Sequence, residues 1–207
     1  SIPRYPVPIR DCLEITSDLQ NLSKRTSPLA PLADWLEQQI LRGAVRANSE
    51  GALTFTPEGG APPLDLHLSS SSVKSLSLLS FYLRHLLDEG DCLLIDEPEL
   101  NLHPDNQRLM ARLLVRLCRA GVRVLCSTHS DVIVREINNL IMLSSDPDGA
   151  LRDELGYAPE ETLSPDRVGA YLFLPTSAEV LPVDRTGFAV RTIDREINRM
   201  NNTSERI

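Results

Sequence analysis

Cys92-Leu93-Leu94-Ile95-Asp96-Glu97-Pro98-Glu99-Leu100-Asn101-Leu102-His103-Pro104 is the stretch from which the rest of the chain can be read. Cys92–Ile95 are four apolar residues bounded by Gly90-Asp91, the pattern of a short, fully buried strand. Two carboxylates follow at once, at the carboxyl end of that strand, the edge where open α/β sheets hold ligands. Pro98 bars the strand from continuing as a central ladder member. Asp-Glu alone more commonly ends a strand in solvated acids. The same pair can also set one carboxylate near a Mg²⁺ ion and the other beside a water, as phosphoryl transfer from a nucleotide requires.

A second run, Val122-Arg123-Val124-Leu125-Cys126, ends in Ser127-Thr128-His129-Ser130-Asp131. Two neighbouring parallel strands would bring Asp96, Glu97 and His129 to one edge. With both motifs present the sequence resembles the ABC-type ATPases, in the branch with SMC, RecF and OLD-like proteins of the AAA family. Leu93–Glu99 is similar to that family's Walker B, Asn101–Pro104 to its D-loop, and Ser127–Ser130 to its switch histidine.

Upstream, Ser69-Ser70-Ser71-Ser72 precedes Val73, Leu76, Leu79, Leu83 and Leu86-Leu87, which recur at helical spacing. Serines before an apolar-periodic run are a helix start. Hydroxyls and free amides at such an end also bind phosphate. The resemblance places the family's signature motif here, with Ser70 as its serine and Ser71 and Ser72 as the small residues after it. Serine in place of glycine adds Cβ atoms where backbone must approach phosphate. Leu53–Thr56 and Leu64–Leu68 read as strands of a hairpin around Pro57-Glu58-Gly59-Gly60. Asp11–Lys24, and Leu32, Trp35, Leu36 and Ile40 up to Gly43, read as helices of a lid or arm; residues 1–10 read as an extended lead-in and Ala44–Glu50 as a loop.

Downstream, Asp105 is expected to cap a helix through Ala120, with Arg108, Arg112 and Arg116 on one face. That row is expected to be solvated, the alternative being a phosphate or an acidic partner. A helix over Asp131–Asn138, a strand over Leu140–Leu143, a surface loop over 145–167, a hairpin of Val168–Phe173 with Glu179–Val183, and a last helix over Phe188–Asn198 complete the reading. Residues 199–207 are polar and expected to fray. Alternating strands and helices imply a parallel sheet with right-handed crossovers.

Net charge is −8, so no global basic field recruits nucleic acid. No apolar run approaches a membrane span, no signal core opens the chain, and four dispersed cysteines fit reduced core thiols in a cytoplasmic protein. Of ten glycines none is followed by lysine, so the phosphate-cradling G-x-x-x-x-G-K-[ST] is missing.

The expected fold is therefore α/β, a P-loop NTPase-like partial parallel sheet with flanking helices. Residues 1–51 would form a helical lid, 52–198 the C-terminal half of an ABC-type ATPase domain, and 199–207 a tail. The resemblance implies that an N-terminal half completes the domain and that two subunits sandwich ATP as a homodimer. Asp96 would order Mg²⁺, Glu97 would act as general base, and His129 would contact the γ-phosphate. Ser70, Ser71 and Ser72 would reach the partner's nucleotide, with Asn101 and His103 at the seam. The completed ATPase would drive a nuclease or toxin effector or act on DNA, without a membrane; alone, this chain would be inactive. The alternatives are a half-domain that serves as a binding or regulatory module, a DNA-repair ATPase, and a transporter's nucleotide-binding domain.

Overall fold

The computed structural model describes residues 18–48 and 51–205. The lead-in over residues 1–10 and the first part of the helix expected from Asp11 lie outside them. Helix α1 (Leu19–Leu22) and helix α2 (Ala30–Leu36) come first, and α2 passes into a π-helical turn over Glu37–Leu41. Arg42 stops it in the left-handed region at φ 52°. Gly43 is needed for another reason than ending a helix: a Cβ there would sit 2.5 Å from the Phe55 ring.

The segment expected as a loop after Gly43 is instead strand β1 (Gly43–Ala47), antiparallel to β2 (Leu53–Pro57). Val45 and Phe55 face each other across the pair and are both buried, which repays the ordering of so short a segment. Only Leu64–Asp65 joins as β3; Leu66–Leu68 turn into a 3₁₀ helix rather than continuing the strand.

Helix α3 (Ser71–His85) leads to β4 (Cys92–Asp96), helix α4 (Pro104–Arg119), β5 (Arg123–Ser127) and helix α5 (Asp131–Leu143). Strands β4 and β5 are parallel, with Asp96 opposite Ser127. The strand expected over Leu140–Leu143 is the end of α5, because Ile133, Val134, Leu140 and Ile141 bury one helical face. Among the described residues the parallel sheet therefore has two strands. Short helix α6 (Ala150–Glu154), the hairpin β6 (Ala170–Leu174) and β7 (Ser177–Leu181), and helix α7 (Arg191–Ser204) follow; residues 199–204 continue that helix.

The main core gathers Ala33, Leu36, Leu83, Leu113 and Leu117 under one face of the sheet, where Leu93, Ile95, Val124 and Cys126 pack. The other face is bare: Leu94 and Leu125, directly opposite each other, are each 61% exposed. Cys92 is likewise exposed rather than a core thiol. Burial pushes the Cys118 and Cys126 thiols up.

The arginine row on α4 is not a solvated face. Arg108 Nε and Arg112 Nε each donate to Glu136 at 3.0 Å, and Arg116 Nε donates to Glu161 at 3.0 Å. Arg112 also lies 3.9 Å over the Tyr157 ring, and Arg116 4.9 Å over Trp35. The acidic partners belong to this chain, and they fasten α5 and the segment after α6 to α4. No helix among the described residues is long and apolar enough to cross a membrane.

Candidate functional site

The site is built where β4 and β5 end side by side. Asp96 is the last residue of β4 and is exposed; its carboxylate accepts a hydrogen bond from the Ser127 hydroxyl at the end of β5. The next residue leaves the strand at once. Glu97 takes φ 45°, a left-handed conformation that is rare for a residue with a long side chain. Its N–H donates to the Ser127 carbonyl at 3.1 Å, so the turn remains tied to β5. Buried Pro98 follows, and the chain folds back through Leu100 N–H to Glu97 O at 2.9 Å and Leu102 N–H to Glu99 O at 3.0 Å. Asn101 supplies a second left-handed residue at φ 63°.

His129 stands on the loop after β5. Its Nε2 lies 3.6 Å from Glu97 Oε1, too far for a hydrogen bond but close enough to share one water or one phosphate oxygen. The imidazole is 88% exposed, so no packing commits it to the core. Its backbone N–H donates to Glu99 Oε1 at 2.8 Å. The next residue, Ser130, caps α5 by accepting from Ile133 N–H at 3.1 Å and donates to Gln107 Oε1 at 2.6 Å.

The serine cluster forms the second part. Ser70 is the N-cap of α3, its hydroxyl accepting from Val73 N–H at 3.3 Å, and Ser71 opens the helix. Ser72 donates to the Asn101 carbonyl at 2.6 Å, which joins this helix end to the turn after β4. Among the described residues no hydrogen bond or ion pair links Ser70, Ser71 or Ser72 to Asp96, Glu97 or His129. His103, rather than Asp105, is the N-cap of α4: its Nδ1 accepts from Asp105 N–H at 3.4 Å, and Pro104 takes the first helical position.

The structure thus brings Asp96, Glu97 and His129 to one edge, and joins Ser72 to Asn101 beside it. Two contributors escaped the sequence reading. Ser127 and Glu99 act across 31 and 30 residues of chain, and no local pattern points to those partners; the nearest signals were their places within Ser127–Ser130 and Glu97-Pro98-Glu99.

Two carboxylates and a loop histidine thus stand at one α/β sheet edge, with the N-terminus of α3 joined to the turn beside them. Residues 10–135 match the family described as "AAA domain, putative AbiEii toxin, Type IV TA system". The match spans more than half of the chain, and the chain belongs to this family of AAA-type ATPase domains. A solved SMC ATPase chain, from work on ATP-driven dimerization and DNA-stimulated activation, superposes over 90% of this chain and 96% of its own length. The TM-score is 0.51 at 13% identity, a likeness of fold. No curated protein matches the sequence.

Proposed function

We propose that this chain supplies the hydrolytic edge of an ATPase that works as an ATP-bound dimer, with a second, P-loop-bearing half completing each nucleotide site. The observation that carries the proposal is the approach of His129 Nε2 to Glu97 Oε1 beside Asp96, at the ends of two parallel strands. Glu97 polarises and deprotonates the attacking water. The His129 ring beside it stands 3.6 Å away, beyond hydrogen-bond distance, so the carboxylate keeps free lone pairs for that water. His129 donates to the γ-phosphate and meets the charge that develops there. Ser70 and Ser71, with Ser72 behind them, offer hydroxyl and free amide donors to the partner subunit's nucleotide; Asn101 and His103 line the seam.

The donor set at Asp96 suits magnesium: a hard carboxylate oxygen, exposed at a strand end, with a hydroxyl beside it. Among the described residues no group of three or more His, Cys, Asp or Glu could hold a metal unaided. That fits a cation held largely by phosphates and water, with Asp96 as its protein anchor. Bound there, the ion would neutralise phosphate charge.

The bare Leu94–Leu125 face is where the completing half would pack. The match to a family whose description names a toxin of a toxin–antitoxin system supports an output tied to a toxin effector; action on DNA, after the DNA-stimulated activation described for the SMC ATPase, is the second reading.

The test is reconstitution. The chain alone should bind Mg-ATP weakly or not at all in calorimetric titration and should not hydrolyse it. Joined to the P-loop half it should turn over ATP, and Glu97→Gln should keep binding, trap the dimer and lower turnover by about 10²–10⁴-fold. Turnover by the chain alone, or phosphate release by Glu97→Gln near the native rate, would overturn the proposal.

A further inference from the structure

The loop over Ser127–Ser130 is held at both ends. Ser127 meets Asp96 and Glu97 on one side, and Ser130 meets Gln107 and caps α5 on the other. Between them the peptide N–H of His129 has one partner, Glu99 Oε1 at 2.8 Å. The imidazole itself is held by nothing at hydrogen-bond distance. Where the ring stands is therefore set by its backbone, and that backbone rests on Glu99.

Glu99 is well placed for the task. It lies in a turn pinned by two internal hydrogen bonds and flanked by left-handed Glu97 and Asn101, so its own backbone is fixed. Its second carboxylate oxygen, Oε2, is shielded from solvent and has no hydrogen-bond partner. Keeping a carboxylate oxygen from water without a partner costs stability. Simple packing does not call for such a group. Its charge also reaches β5, where it adds to burial in pushing the Cys126 thiol up.

We propose that Glu99 is a positioning residue: its carboxylate pegs the His129 backbone to the turn after β4 and so holds the imidazole over Glu97, coupling the general base and the phosphate-contacting histidine. The proposal rests on the ATPase reading for its kinetic consequence, and on the geometry alone for its structural one. The peg also gives a route between the two loops. Movement of the turn that carries Glu97 and Asn101 is passed to His129 through one bond.

Two measurements test it. The first is amide hydrogen exchange, followed by NMR on the 207-residue chain. Glu99→Ala should speed exchange at His129 by about tenfold or more, the loss of one charge-assisted hydrogen bond, while α4 amides keep their protection. Glu99→Gln, whose amide oxygen can accept the same bond, should stay within about threefold. If the alanine variant does not fold, Glu99→Asp, which keeps the charge and loses the reach, takes its place. The second is a kinetic cycle in the reconstituted ATPase. Glu99→Ala should lower kcat by about tenfold with the KM for ATP nearly unchanged, Glu99→Gln should restore it, and Glu99→Ala should add nothing in a His129→Ala background. Unchanged exchange at His129, or losses that multiply across the cycle, would overturn the proposal. If the intact assembly hydrolyses no ATP, the ATPase reading falls, and the exchange measurement alone decides the role of Glu99.

Discussion

Removal of the Glu136 carboxylate should unsettle the packing of α5 on α4. The side chain is 1% exposed and accepts from Arg108 Nε and Arg112 Nε, both at 3.0 Å. Arg108 is about half exposed, so water replaces most of what it loses. Arg112 is 16% exposed and stacked on Tyr157; without Glu136 its nearest acid is Glu161 at 3.8 Å. Glu136→Ala therefore strands a mostly buried guanidinium, for which breaking a buried pair typically costs about 3–5 kcal/mol; exposure of Arg108 and the reserve at Glu161 favour the low end, about 3 kcal/mol. For a domain of this size that lowers the melting temperature by about 6–12 °C. Burial pushes the Glu136 pKa up, but hydrogen bonds from Arg112 and Arg108 outweigh it and hold the carboxyl below its usual range. A carboxyl depressed on folding stabilises the native state above its unfolded pKa and loses that contribution as pH falls through the folded value. The gap between wild type and variant should thus be full at pH 7 and should narrow below about pH 4.3, where unfolded glutamate begins to take up protons. Urea melts at several pH values measure both effects. A midpoint unchanged at pH 7, or a gap that widens in acid, would refute the assignment of Glu136 as the ionised hub of the arginine row.

His129→Ala should lower turnover of the reconstituted ATPase and cost only about 0.5 kcal/mol of stability, since the ring packs against nothing; a large drop in melting temperature with normal turnover would make it a structural residue. Ser70→Arg removes the α3 cap, worth about 1 kcal/mol, and places charge and bulk at the helix end, so ATP-dependent dimerisation followed by light scattering should weaken. An unchanged dimer would reduce Ser70 to its capping role.

How much of this could be read beforehand follows from the range of the forces involved. Strands β4 and β5, helix α4 and the meeting of Asp96, Glu97 and His129 were legible, because apolar runs, helical spacing and parallel pairing are local or topological signals. Strand β1 was not. Ala44–Ala47 is too short to announce itself, and its order comes from Val45 meeting Phe55 on the next strand. Leu140–Leu143 read as a strand since four apolar residues in a row fit either state; the helix prevails because Leu140 and Ile141 extend the buried face begun by Ile133 and Val134. The acids that pair with Arg108, Arg112 and Arg116 lie 24 to 45 residues downstream, and spacing within one helix cannot point to them. Glu99 eluded the reading for the same reason, 30 residues from its partner.

The uncovered leucine pair has a thermodynamic corollary. Leu94 and Leu125 each sit two residues before the end of their strand, at Asp96 and Ser127, so whatever seals that face also sets the distance from the Asp96 and Glu97 carboxylates to its own neighbouring loop. In the proposed assembly, apolar contact fixes the spacing while the polar rim selects the small molecule caught between. Linkage then makes the two reciprocal: a nucleotide gripped from both sides strengthens the union of the halves by the same factor by which the union strengthens the grip.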